Sequence, residues 1–145
     1  MNDILLLDNH EKTRHLFAAN LEVYTGANVI EFDNLDDAIA YFQEGGIPNL
    51  IITRAKIDQR NADEKMVSLL KDIHSDIALF IIGESKVNYF EATVFKDATD
   101  VKTIVQACAK FLKVTPALMV GTEVSDYYPV PLYLLLPGFQ LVCPV

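Results

Sequence analysis

DILLLDNH, residues 3–10, sets four consecutive apolar side chains, Ile4 to Leu7, between two acids and follows them at once with polar residues. A short apolar run closed by a polar stop reads as a strand buried on both faces, the kind found inside a parallel sheet. The residues that follow support this reading. His10 to Tyr24 carries Thr13, Leu16, Phe17, Asn20, Leu21 and Tyr24 at three- and four-residue spacing, which marks one face of a helix. ANVIEF, residues 27–32, then reads as a second strand.

The same alternation continues down the chain. Asn34 is placed to cap a helix with Asp37 three positions on, Leu35, Ala38, Ile39 and Phe42 form its apolar stripe, and Gly45–Gly46 end it. LIITR, residues 50–54, is a third strand. Asn61 with Glu64 has the spacing of a capping box, ahead of a helix that buries Met66, Leu69, Leu70 and Ile73. IALFIIG, residues 77–83, is a fourth strand and Thr93 to Phe95 a short fifth. Asp100 to Val114 is amphipathic, with Val101, Ile104, Val105, Cys108, Phe111 and Leu112 inside. Strands alternating with helices predict an α/β domain over residues 1–114, a parallel sheet covered by helices on both faces.

Composition narrows the function classes. Half of the 145 residues are apolar, enough for one core, and the net charge is −8. Nucleic-acid and anionic-membrane contacts need clustered Lys and Arg, so both partners are disfavoured. The N-terminus has no basic stretch followed by a long apolar run, hence no signal peptide is read there. Cys108 and Cys143 lie far apart with no Cys/His metal spacing, and read as reduced thiols of a cytoplasmic protein. No nucleotide loop, nucleophilic triad or cofactor fingerprint occurs, and neither metal nor cofactor is expected.

After Pro116 the pattern changes. Residues 115–145 show no helical period and run as extended apolar pieces around the Pro137–Gly138 turn signal; Pro131, Pro137 and Pro144 exclude a membrane-spanning helix. Leu132–Leu136 and Phe139–Cys143 could pair as a hairpin, which would need a surface to pack on. This segment is expected to be a linker and the start of a truncated next domain.

ILLLDNH, PNLIITR, SDIALFIIGES and VFKDA place Asp8, Arg54, Gly83 and Lys96 at the carboxyl ends of the first, third, fourth and fifth strands. In an open parallel sheet, ligand chemistry sits at that edge. Over residues 1–113 these segments resemble the receiver domains of response regulators. The resemblance implies a flavodoxin-like sheet of order 2-1-3-4-5 and a bacterial two-component signalling role. It also implies a phosphorylation site in which two adjacent acids hold Mg²⁺ and a carboxylate ending the third strand accepts the phosphoryl group. A hydroxyl after the fourth strand and a lysine after the fifth contact that group.

Matched position by position, the site is degenerate. Asp8 fits the first acid and Lys96 the lysine, but Asn9 stands for the second acid, Arg54 for the phosphoacceptor and Gly83 for the hydroxyl residue, with Ser85 two positions on. Asp97 follows Lys96 where the family usually has proline. Arg54 has no nucleophilic oxygen. The expectation is a vestigial pocket of Asp8, Asn9, Arg54, Gly83 and Lys96 in a pseudo-receiver without catalytic residues. Arg54 either fills the vacated metal site and pairs with Asp8 through two contacts, or extends to solvent while Asp8 caps a turn.

Only thirteen steps (96 − 83) separate Gly83 from Lys96, too few for a full helix, a strand and two turns, so the family's fourth helix is expected to be shortened or absent. Its loss would bare Val87, Tyr89, Phe90, Val94 and Phe95 as an interface, unless the tail or the family's fifth helix covers them. Among other polar residues, His10, His15 and His74 read as surface residues, Asp58 as a turn former and not a displaced phosphoacceptor. Asp33, Asp36 and Asp37 read as helix-start acids.

The leading expectation is therefore a phosphorylation-independent regulatory, dimerisation or docking module of a larger signalling protein. Its partner would be a second copy or another protein at the strand 4–5 edge and the family's fifth helix, with an output domain in cis. DYYPVPLYLLLPGFQLVCPV resembles the stretch opening the output region of HD-GYP-type cyclic-di-GMP phosphodiesterases, though no catalytic histidine or aspartate of that family is present. The alternative is a sensor that binds an anion or small metabolite in the vacated pocket at Arg54 and Lys96.

Overall fold

The structure, a computed structural model, describes residues 2–73, 77–96 and 101–114. Five strands, β1 (Asp3–Leu7), β2 (Asn28–Phe32), β3 (Leu50–Arg54), β4 (Ala78–Ile82) and β5 (Ala92–Phe95), form one parallel sheet in the order β2-β1-β3-β4-β5. The helices are α1 (Glu11–Thr25), α2 (Leu35–Gln43), α3 (Ala62–Asp72) and α4 (Val101–Leu112). The expected flavodoxin-like architecture and strand order are both present. His74, Asp97 and residues 115–145, with the linker, hairpin and output-region readings, lie outside the described residues.

The period-2 geometry of β-strands divides the central apolar runs between two cores. Ile4 and Leu6 of β1, Leu50 and Ile52 of β3, and Ala78, Phe80 and Ile82 of β4 face α1 and α4, where Phe17, Leu21, Ile104, Val105 and Cys108 complete the first core. Leu5, Leu7, Ile51, Leu79 and Ile81 face the other way, onto Leu35, Ala38, Met66, Val67 and Leu70 of α2 and α3. Both faces of the three middle strands are thus covered, which explains their unbroken apolar sequences.

Helix starts differ from one another. Asn34 Oδ1 accepts the Asp37 backbone N–H at 2.8 Å, the expected cap. Asn61 makes no side-chain cap bond, contrary to the capping-box expectation; Asp63 instead accepts the Glu64 N–H at 2.7 Å. The chain before α3 arrives from a tight two-residue turn, which fixes Asn61 at φ −80° and ψ 82°.

No helix lies between β4 and β5. The nine residues 83–91 cross from one parallel strand to the next as an extended segment. Parallel neighbours usually need a dozen or more connecting residues, commonly a helix. One side-chain and one backbone hydrogen bond tie the shorter crossing down: Tyr89 Oη donates to Ile77 O at 3.0 Å, and the Leu79 N–H donates to Glu91 O at 3.0 Å. Among the described residues no helix is long and apolar enough to cross a membrane.

Candidate functional site

β1, β3 and β4 end side by side, so parallel registry sets Asp8, Arg54 and Gly83 along one edge. Leu7 pairs with Thr53 and Arg54 with Ile82. Asp8 is 2% exposed, a position at which a carboxylate requires partners. It has three kinds. Its Oδ1 accepts the His10 backbone N–H at 2.9 Å, its carbonyl accepts from Arg14 Nη1 at 3.0 Å, and Arg54 lies across both carboxylate oxygens.

The Arg54 contact answers the choice left open by the sequence. Nη2 donates to Asp8 Oδ2 at 3.3 Å, and Nε stands 3.3 Å from Oδ1. Both contacts of a fork are present, but only the first has hydrogen-bond geometry, and the buried Nε is left without an aligned acceptor. The pair is electrostatic on two oxygens and hydrogen-bonded on one. Arg54 does not extend freely to solvent: its side chain is 24% exposed.

The remaining site positions are dispersed. Asn9 is exposed, and its amide donates to Asp58 Oδ1 at 3.4 Å. Asp58 and Gln59 have φ of 51° and 67°, and Ile57 and Arg60 exchange both backbone hydrogen bonds around them. Two successive left-handed residues make a tight primed turn, which accounts for Asp58 as a turn former. Gly83 has φ 120°, and a Cβ there would stand 3.3 Å from Ala55 Cβ. Glycine therefore serves a backbone purpose at the position where the resemblance expects a hydroxyl. Ser85 is turned away to α3, where its Oγ donates to Asp63 Oδ2 at 2.5 Å. Lys96 is exposed beyond β5 and does not line the cleft that Arg54 lines.

That cleft, of roughly 630 Å³, brings Arg54, Lys56 and Lys86 together with Asp63, Glu64 and Glu84. Its charges are mixed. The Arg54–Lys96 pair expected for a captured anion is not assembled in it.

Mg²⁺ does not fit the residues present. It requires several hard oxygen ligands in octahedral array. Here the Asp8 carboxylate faces a guanidinium, Asn9 is engaged with Asp58, and no metal-competent group of three His, Cys, Asp or Glu occurs among the described residues.

Arg14 and Glu31 were missed by the sequence reading. Arg14 Nε pairs with Glu31 Oε1 at 3.1 Å while Nη1 holds the Asp8 carbonyl, so α1 and β2 together brace the end of β1. Arg14 stands three residues before Phe17 and seven before Leu21, on the inward face read for that helix. A cation on that stripe was the available signal. His15 Nδ1 lies 2.8 Å from the same Glu31 oxygen.

No protein-family model and no curated protein matches the chain. Solved structures do match. The receiver domain of the hybrid histidine kinase CckA superposes with TM-score 0.61 at 19% identity, over 77% of this chain and 99% of that one. A response regulator receiver protein from Sinorhizobium medicae gives 0.67 at 14%, over 77% and 94%. TrrA from Thermotoga maritima, solved in complex with Mg(2+)-BeF, gives 0.64 at 16%, over 77% and 99%. The fold is that of a receiver domain.

Within this receiver-like domain the expected interface shrinks. Val87 and Tyr89 pack onto the α2–α3 core, and Phe95 packs against Phe80 in a tilted ring contact with centroids 5.3 Å apart. Through Val87 and Tyr89 the crossing segment thus covers part of that core itself. Of the five residues expected to be bared, Phe90 is 93% exposed and Val94 is 43% exposed.

Proposed function

We propose that this receiver-like domain is a regulatory, non-enzymatic module of a signalling protein that works through contact with its own or other chains and not by accepting a phosphoryl group. The observation that carries the reading is the Arg54 guanidinium seated on the buried Asp8 carboxylate at the carboxyl edge of the sheet. A cation at the end of β3 cannot form an acyl phosphate, which needs a carboxylate nucleophile. It also supplies in permanent form the positive charge that a metal ion would bring.

Of the vestigial positions Asp8, Asn9, Arg54, Gly83 and Lys96, Asp8 and Arg54 are directly joined and form the core of the proposed closed site, while Lys96 stands apart. The pair holds β1 and β3 in one arrangement where an active receiver would alternate between two. Phe90 and Val94, on the crossing segment and β5, mark the flank at which a protein partner or second copy would sit, in a cytoplasmic setting. Related folds occur inside multidomain regulators, including a response regulator/sensory box/GGDEF 3-domain protein from Carboxydothermus hydrogenoformans, which supports an output domain in cis.

Acetyl phosphate with Mg²⁺, followed by intact-mass spectrometry, tests the proposal. The expected result is an unchanged mass. A phosphorylated adduct lost on hydroxylamine treatment, the mark of an acyl phosphate, would overturn it.

A further inference from the structure

The sheet has two edge strands, β2 and β5. An edge presents backbone N–H and C=O groups that template a further strand unless the sequence blunts it. Charge blunts β2: it carries Glu31 and leads into Asp33, Asp36 and Asp37, with no base between Asn28 and Asp37. A second copy brought there would oppose like charges. β5 has no charged residue from Ala92 to Phe95, and among the described residues no strand lies beyond it.

The hydrogen bonds of β5 fix which of its groups face outward. The Glu91 and Phe95 carbonyls accept from the Leu79 N–H at 3.0 Å and the Gly83 N–H at 2.8 Å. Backbone groups alternate along a strand, so the odd-numbered residues turn theirs to β4 and the even-numbered residues turn theirs outward. The Ala92 N–H is already engaged, donating to Tyr89 O at 3.1 Å. From Ala92 to the Lys96 N–H, the outer edge therefore offers the Ala92 carbonyl, both groups of Val94 and that N–H. An antiparallel pair with its two-fold axis at Val94 uses them all. The Val94 N–H meets the Val94 carbonyl of the second copy and the Lys96 N–H meets the Ala92 carbonyl, each bond occurring twice by symmetry. Centring the pair on Thr93 instead sets Val94 opposite Ala92, whose N–H is taken, and strands the Val94 carbonyl. Side chains favour the same register. Val94 lies on the face of β5 that Ala92 turns to the α2–α3 core, and it is 43% exposed. At the two-fold axis it packs on its own copy, and Lys96 comes beside Glu91 of the second copy.

We propose that two copies of this chain join β5 to β5 in antiparallel register about Val94, making one continuous sheet across a two-fold axis. The inference rests on the reading of the domain as a contact module, and it names a second copy as the occupant of the Val94 flank.

Sedimentation equilibrium of the full chain, from micromolar to millimolar concentration, tests the pairing, with amide spectra to check that each variant stays folded. The expected result is a dimer whose mass halves in Val94→Lys and in Val94→Glu. An equimolar mixture of the two variants should restore it, because opposite charges then face each other at the two-fold axis. A chain that is monomeric throughout overturns the pairing and leaves contact with a different protein standing. A dimer that both charged variants retain, or that their mixture fails to restore, also overturns it. A dimer with the expected variant behaviour that forms only after treatment with acetyl phosphate and Mg²⁺ upholds the strand pairing and overturns the phosphorylation-independent reading instead.

Discussion

Arg54→Met tests the ion pair while keeping an unbranched side chain of similar length. Breaking a fully buried pair by removing one partner costs about 3–5 kcal/mol. The Arg54 side chain is 24% exposed and makes one aligned hydrogen bond at 3.3 Å, so water reaches its side of the pair. The expected cost is therefore lower, about 2 kcal/mol. Asp8→Asn removes the charge but can still accept the His10 N–H; it leaves an arginine that can turn toward solvent, and should cost about 1 kcal/mol. The double variant should be more stable than the sum of the two losses predicts, with a coupling of about 1 kcal/mol. Urea unfolding measures all four proteins. With a slope of about 2 kcal/mol per molar, Arg54→Met should lower the midpoint by roughly 1 M at unchanged slope. A coupling below about 0.5 kcal/mol, within the lower half of what exposed surface pairs give, would refute the idea that Arg54 offsets the Asp8 charge.

Gly83→Thr, which would restore a hydroxyl, should cost about 1–3 kcal/mol because φ is 120° and the new Cβ meets Ala55; Gly83→Ala should lose nearly as much in the same urea titration. Ser85→Ala removes the hydroxyl donor from buried Asp63 and should lower stability by about 1–2 kcal/mol, read as a lower thermal midpoint. Burial pushes the Cys108 thiol above its ordinary value of 9.0. The unfolded chain therefore ionises first, and the stabilisation is complete below that pH and is lost as pH rises above it. Urea midpoints on either side of pH 9.0 should fall more in the wild type than in Cys108→Ala.

The sheet was readable because its middle strands are continuous apolar runs that no amphipathic helix would carry, and because Gly and Asn mark the breaks between them. The absent fourth helix was readable from chain length alone, since nine residues cannot hold a helix and two turns. Its consequence was not. Val87 and Tyr89 are spaced to reach the α2–α3 core from an extended segment, but nothing local distinguishes that from exposure. At the site, resemblance placed Asp8 and Arg54 at neighbouring strand ends, and the ion pair followed from the cost of a lone buried carboxylate. Arg14 was overlooked because helical periodicity assigns its stripe to apolar packing. Lys96 was grouped with Arg54 by its position in sequence, whereas the exposed end of an edge strand carries it outside the cleft. Asn61 fits a capping box by spacing, but the turn at Asp58–Gln59 delivers the chain at an angle that gives the role to Asp63.

The most direct measurement is a titration of the full chain with Mg²⁺ and beryllofluoride, a mimic of aspartyl-bound phosphoryl groups, followed by amide NMR. A domain whose site is closed by Arg54 should show no saturable shifts at Asp8, Arg54, Gly83 or Lys96. Saturable shifts centred on those residues would contradict the account and show that the pocket still receives a phosphoryl-like anion.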